Sequence, residues 1–464
     1  PSDALQGSGT KDDPYLITNG NDLGLIANMV NLDGNTFSGK YFKVYPLDTD
    51  GNTIDSIDLS AYYFNPIGIA GNDDRQFKGI IEGDFKTITE IKIDGIASQI
   101  GFFIKPDATI NNLTFNNLSI VSTSSDSTIG GIAAVNQGNL NNVQVTGDST
   151  INATGTIGGV VGINEGVIER VKSNVTIDAY GKYTGGIAGI NNATIKVANN
   201  SGKITNSSTE DISYVGGIAG YTSTNSIIEK AGNFAEISGD YAGGIVGNFS
   251  RGSLSDVYNV ASIVGNTYAG GIFAYKDNNA DTAVEITNAY NSGRVGNTTS
   301  GGIYGYLDSR LTKRMSNVFY LDSTAGNVSQ SGATAKTDAE MRKSSTFTNF
   351  DFVDVWGIDS NTLDINSRHN LGRPFIWDVE TWDDWSQFAE EITPVDGTYN
   401  ITNAKQLAWI SAKVNSGELD STGITITLNN NIDMFNHYFT PIGTSEHKFG
   451  GTFNGNGFAI SGLT

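Results

Sequence analysis

Seven Gly-Gly-aliphatic triplets recur through the middle of the chain, and a sequence that repeats one bend at near-constant period is restricted to a stack of similar units. The triplets begin at Gly130, Gly158, Gly185, Gly216, Gly243, Gly270 and Gly301, with spacings of 28, 27, 31, 27, 27 and 31 residues. Each unit carries a second apolar stretch, such as Leu140-Asn141-Asn142-Val143-Gln144-Val145 or Leu254-Ser255-Asp256-Val257-Tyr258. A third short stretch follows, such as Gly202-Lys203-Ile204 or Ala235-Glu236-Ile237. Three short strands per unit, with alternation placing Ile, Val and Leu inside and Asn, Ser, Thr and Lys outside, make one coil of a solenoid. The units lack the 3.6-residue apolar period that a helix in each repeat would need, so the expected fold is all-β, a right-handed parallel β-helix. The paired glycines fit corners with positive φ or with close approach of a neighbouring coil. A phosphate cradle would call for a following Lys-Ser or Lys-Thr, which is missing.

Composition agrees with an array. The chain has 464 residues, too many for one ordinary compact domain, with 57 Gly, only 8 Pro and 17% charged residues. Its 28 Lys and Arg against 49 Asp and Glu give a net charge of -21, which repels phosphate backbones and makes nucleic acid an unexpected partner. The absence of Cys excludes disulfides, thiolate zinc and a catalytic thiol. An acidic, Cys-free chain rich in Asn, Thr and Gly is expected outside the cell, secreted or attached to its surface. No window is apolar enough for a membrane span, so no membrane insertion is expected here, and any signal peptide or anchor is expected outside these residues.

The repeat resembles the GLUG motif, as in Gly186-Ile187-Ala188-Gly189, Gly217-Ile218-Ala219-Gly220 and Gly244-Ile245-Val246-Gly247. Gly7-Ser8-Gly9-Thr10-Lys11-Asp12-Asp13-Pro14-Tyr15-Leu16-Ile17 looks like the usual entry to such a region, and Phe319-Tyr320-Leu321-Asp322 with Thr337-Asp338-Ala339-Glu340-Met341 looks like its exit. The motif occurs in bacterial surface adhesins and in the non-catalytic amino-terminal region of immunoglobulin A metallopeptidases. The resemblance implies a structural or binding module of a surface or secreted protein, an adhesin or stalk, or the substrate-binding region of such a peptidase.

Residues 1–376 are expected to form one β-helix, with repeats over about 100–320 and a C-terminal cap over about 321–376. Leu23, Ile26, Ala27 and Val30 fall on one face of a short helix, which would cover the exposed strand edges at the first end. Thr337 and Glu340 form a capping box for another short helix in the C-terminal cap. The Trp-rich stretch around Trp377, Trp382 and Trp385 begins a linker over 377–395. Ile401-Thr402-Asn403 repeats Ile17-Thr18-Asn19 at an offset of 384, and Pro441-Ile442-Gly443 repeats Pro66-Ile67-Gly68 at 375. Residues 396–464 are therefore expected to begin a second similar unit, as a truncated copy.

Chemistry is sparse. Only His369, His437 and His447 are present, without the H-E-x-x-H spacing of a zinc peptidase, and no G-x-S-x-G elbow occurs. Cleavage of glycans, by a lyase or hydrolase on the β-helix, is the enzyme alternative; its candidate carboxylates are Asp73 and Asp74 beside Arg75, or Asp383 and Asp384. Adjacent carboxylates on a strand point to opposite faces, so neither pair is a natural acid and base couple. No cofactor is expected except a candidate calcium ion at Asp48, Asp50 and Asn52, whose hard oxygens have the spacing of a cation loop. The match fails as an EF-hand, with Gly at 51 and Thr at 53, and a plain acidic turn competes with it. Tyr183, Tyr214, Tyr241 and Tyr268 each stand just ahead of a glycine pair and are expected to form a ladder, either bracing the coils or binding a host or microbial surface glycan. The partners expected are such a glycan or protein and the tandem neighbouring domains of the same chain.

Overall fold

The computed structural model describes residues 4–61, 63–209, 212–223, 225–278, 283–296, 299–324, 326–358, 369–376, 379, 389–434, 439–461 and 463. The linker tryptophans Trp377, Trp382 and Trp385, Asp383, Asp384 and His437 lie outside the described residues. The chain divides into two compact units, Pro1–Val379 and Glu380–Thr464.

Unit one is a right-handed parallel β-helix with three faces. Face one is a 13-stranded sheet running from Tyr15–Ile17 through strands such as Asn139–Thr146 and Ser253–Asn259 to Thr334–Lys336. Face two has 12 strands, among them Thr150–Gly158 and Ile263–Gly270, and face three has 7, from Ala133–Asn136 to Tyr304–Leu307. Every pairing in these three sheets is between successive coils and parallel, so the backbone groups of each interior strand are satisfied by the coils above and below.

The doublets align in a column at the corner between faces two and three. Gly130, Gly158, Gly185, Gly216, Gly243, Gly270 and Gly301 are direct register partners in sequence. None of the fourteen doublet glycines has positive φ, so close approach and not left-handed backbone is the reason for them. A Cβ on Gly216 would lie 2.0 Å from the Ala219 carbonyl oxygen, and one on Gly217 would lie 2.2 Å from the Gly244 oxygen and 2.5 Å from Asn233 Cγ. The aliphatic residue after each pair, from Ile132 to Ile303, is fully buried.

Asn233 belongs to an internal ladder. The Nδ2 of Asn200 donates to Asn233 Oδ1 (2.8 Å), Asn233 to Asn259 (2.7 Å) and Asn259 to Asn291 (2.8 Å). Each amide also donates to the carbonyl two residues on, as Asn233 does to Ala235 at 2.9 Å. A second ladder joins Asn136, Asn164 and Asn191 at 2.9 Å per step, six residues after the first glycine of each doublet. Burying these amides is tolerable because donors and acceptors are matched from coil to coil, save at Asn136, which begins the second ladder and whose Oδ1 is buried without a hydrogen-bond partner.

Face one departs from simple alternation. Asn112, Asn142, Arg170, Val197, Lys230, Asp256, Asn288 and Asn317 all have φ between 51° and 61°, one in each successive strand. The left-handed residue bends the strand and shifts its phase: in Asn139–Thr146 the buried residues are Leu140, Val143 and Val145. Asn suits this position because its side chain tolerates left-handed backbone.

Helix α1 (Gly20–Asn31) is capped by Asn19, which accepts from Asn21 N, and its Leu23, Ile26, Ala27 and Val30 join the core. Helix α2 (Asp338–Met341) has the capping box at Thr337 and Glu340. The segment after it does more than close the last coil. Phe347 stacks edge-on to Phe319 at the end, but Trp356, Phe375 and Ile376 lie fully buried against the outside of face one. There Trp356 Nε1 donates to Asp256 Oδ1 (2.9 Å), Asn199 Nδ2 donates to the Val379 carbonyl (3.0 Å), and the Tyr290 hydroxyl donates to the Pro374 carbonyl. At the end of the glycine column Gln330 takes the place of a further coil. Its Oε1 accepts from Ile303 N and Tyr304 N (2.8 and 2.9 Å), and its Nε2 donates to the Tyr304 carbonyl (3.0 Å).

Unit two contains helix α3 (Ala404–Asn415) between parallel strands Thr398–Ile401 and Thr425–Leu428, the order found at the start of unit one. The internal repeat extends to hydrogen bonds. Asn31 Nδ2 donates to the Pro66 carbonyl (2.9 Å) and its Oδ1 accepts from Gly68 N (2.7 Å); Asn415 makes the same bonds with Pro441 (2.9 Å) and Gly443 (2.7 Å).

Candidate functional site

The glycine corner is re-entrant on the outside. The last glycine of each Gly-Gly-Ile-x-Gly run sits on face three and abuts face two of the coil before: a Cβ on Gly220 would lie 2.5 Å from Thr184 N, and one on Gly247 would lie 2.5 Å from Val215 N. With side chains excluded there, the outer surfaces of the two faces turn toward each other.

Tyrosines line both walls. Tyr183, Tyr214, Tyr241 and Tyr268 are direct register partners on face two. Face three opposes them with Ile190, Tyr221, Asn248, Tyr275 and Tyr306, again in register. All seven tyrosines are half-buried. Across the corner Tyr183 is 5.0 Å from Tyr221, Tyr241 is 5.2 Å from Tyr275 and Tyr268 is 5.4 Å from Tyr306, centroid to centroid. Along face two the rings alternate in orientation: Tyr183 and Tyr214 are stacked at 5.7 Å, whereas Tyr214–Tyr241 and Tyr241–Tyr268 meet edge to face at 5.0 and 4.9 Å. In an edge-to-face pair one ring has neither face covered by the other.

Three of the phenols, Tyr214, Tyr241 and Tyr275, are held neutral. Burial, reinforced by Tyr241, Tyr183 and Asp277, pushes the Tyr214 hydroxyl up to about 12. Burial also raises Tyr241, with help from Tyr268 and Asp240, and Tyr275, with help from Asp277. Lys182 lies 5.3 Å from the Tyr183 ring at one margin. The sequence reading took in the face-two column but missed Tyr221, Tyr275 and Tyr306. Their signal was a position five residues after the first glycine of the doublet, obscured by Ile190 and Asn248 in the same column.

The other candidate residues are engaged in structure. Asp48 Oδ1 accepts from Asp50 N (2.9 Å) and Asn52 N (2.8 Å), and Asn52 Nδ2 donates to Asp48 Oδ2 at 3.0 Å. The Asn52 side chain, then its backbone, holds the Asp48 carboxyl below its usual range, so this turn is internally satisfied. No cluster of three or more His, Asp or Glu able to hold a metal occurs among the described residues. Asp73 pairs with Lys105 (2.8 Å), Asp74 N donates to Asn72 Oδ1 (3.1 Å), and Arg75 donates to the Leu32 carbonyl (3.0 Å) and to that of Asn31 beside the end of α1. The structure therefore does not join Asp73, Asp74 and Arg75 into one reaction centre. Among the described residues no helix is long and apolar enough to cross a membrane.

These features define a parallel β-helix with a tyrosine-lined re-entrant corner. No family model matches the chain. Over 150 residues it is 32% identical to Halomucin of Haloquadratum walsbyi, a match that takes in 32% of this chain and 2% of that protein's length. A solved structure from Bacteroides ovatus, described as a candidate immunoglobulin A1 protease, is similar over 81% of this chain and 95% of that one, at 20% identity and a TM-score of 0.46.

Proposed function

We propose that this chain is a GLUG-type, non-catalytic structural and binding module of a bacterial surface or secreted protein, acting as a stalk or adhesin segment outside the cell. The observation that carries the reading is the unbroken register of seven glycine doublets, with buried amide ladders inside the same coils. A ladder satisfied in this way resists local opening, because loss of one coil unpairs both neighbours. The stretch shared with Halomucin, a mucin by name, supports a place at the cell exterior. The net charge of -21 favours solvation and disfavours non-specific adhesion to anionic surfaces.

The test has two arms. Protease shaving of intact producing cells should release fragments of this chain, and protection inside the cell would overturn the assigned location. Incubation of the full chain with a panel of polysaccharides and peptides should give no new reducing ends, unsaturated sugars or cleaved peptide. Release of any such product in proportion to protein would overturn the non-catalytic reading.

A further inference from the structure

The geometry points to the tyrosine corner as a binding groove for a neutral, extended glycan chain lying along the solenoid axis. The inference rests on the binding-module reading and specifies its ligand and its site. Three features select this occupant. The groove is periodic: Tyr183, Tyr214, Tyr241 and Tyr268 recur once per coil in direct register, at the spacing of about 4.8 Å between paired strands. A ligand that repeats its own contacts at short intervals, as a chain of pyranose rings does, meets a face-two tyrosine at every step, whereas a globular partner gains nothing from the repetition.

The surface of the corner is made by uncharged rings that meet above the buried glycines, and its phenols at Tyr214, Tyr241 and Tyr275 stay protonated. They are hydroxyl donors and acceptors to sugar hydroxyls, and Asn248, between Tyr221 and Tyr275, orients the Tyr214 hydroxyl through a side-chain hydrogen bond. Asp240 and Asp277 at the margins, on a chain of net charge -21, work against a polyanionic glycan. Lastly, the tyrosines of both walls are half-buried, so part of each side chain stays open to solvent, which suits the C–H faces of a neutral sugar.

The experiment is calorimetric titration of the full chain with neutral oligosaccharides from disaccharide to octasaccharide, in cello-, xylo-, manno- and chito- series. For at least one series affinity should rise with length until the ligand spans the four face-two tyrosines. Tyr241→Ala and Tyr275→Ala should each weaken binding of the hexasaccharide about tenfold. Tyr275→Phe, which keeps the ring and the packing, should weaken it by about threefold. Tyr63→Ala, at an exposed tyrosine outside the groove, should leave it unchanged. Circular dichroism of each variant separates lost binding from lost fold. Absence of binding in all four series, affinity independent of length, or binding that survives both alanine variants and Tyr275→Phe would overturn the groove. So would preference for an acidic glycan or an extended peptide in direct competition. Product release during the titrations would instead overturn the non-catalytic reading.

Discussion

The glycine corner and the bend in face one solve the same problem, turning the chain within a coil, by opposite means. At the corner the backbone is ordinary and the surroundings are intolerant: Gly216 and Gly217 have carbonyl oxygens within 2.0–2.2 Å of where a Cβ would be. At the bend the backbone is unusual and the surroundings are tolerant, so Asn, Arg, Val, Lys and Asp all occupy the left-handed position. Steric exclusion by neighbours leaves one residue type; a torsional preference costing about 1–2 kcal/mol per residue leaves many. The first writes a motif into the sequence and the second does not.

Substitutions can break or sharpen this contrast. Gly216→Ala should have the largest effect, about 4 kcal/mol or more of lost stability, because the obstructing Ala219 carbonyl belongs to the backbone; urea unfolding of the full chain reads it. Asn233→Ala, inside the same corner, removes the acceptor for Asn200 and the donor to Asn259, and should cost about 3 kcal/mol by the same measurement. On the bend, Asn288→Ala should cost about 2 kcal/mol, combining left-handed backbone with loss of the bonds to Asp256 and Asn317, while Asn288→Gly should recover the backbone share. If Asn288→Ala proves as damaging as Gly216→Ala, the distinction between the two turns fails.

The smallest effect depends on pH. Burial raises the Asp256 carboxyl above its ordinary 3.8, against the bonds from Trp356 and Asn288 that lower it. The native state then binds the proton more tightly than the unfolded state, so this group's contribution weakens as pH rises from about 4 through the native value. Asp256→Asn should therefore raise the Tm slightly at pH 7 and leave it unchanged near pH 3, as read by thermal melts at both. A larger gain at the acid end would reverse the assigned sign.

What was legible in the sequence follows from the same contrast. The doublets revealed the coil period, the parallel register and the face-two tyrosines, because a forbidden Cβ leaves a mark at every repeat. The bend was read as plain alternation, since Asn142 between Leu140 and Val143 looks like one more outward polar residue. The covering of face one by Trp356, Phe375 and Ile376 could not be read at all. Trp356 is one hundred positions from Asp256 and belongs to no repeat, so no periodicity connects them. At Asp48 the spacing of Asp48, Asp50 and Asn52 was legible, whereas the bonds that Oδ1 accepts from Asp50 N and Asn52 N depend on how the turn is folded and could not be read from spacing.

Gln330 gives the stack a property that its repeats cannot supply. A coil that ends in open backbone at the glycine column would serve as a template for another strand, whether from the same protein or a different one. By answering Ile303 and Tyr304 with a single side-chain amide, this residue works as a chain stop at the corner: the backbone groups that would seat the next glycine doublet are already taken.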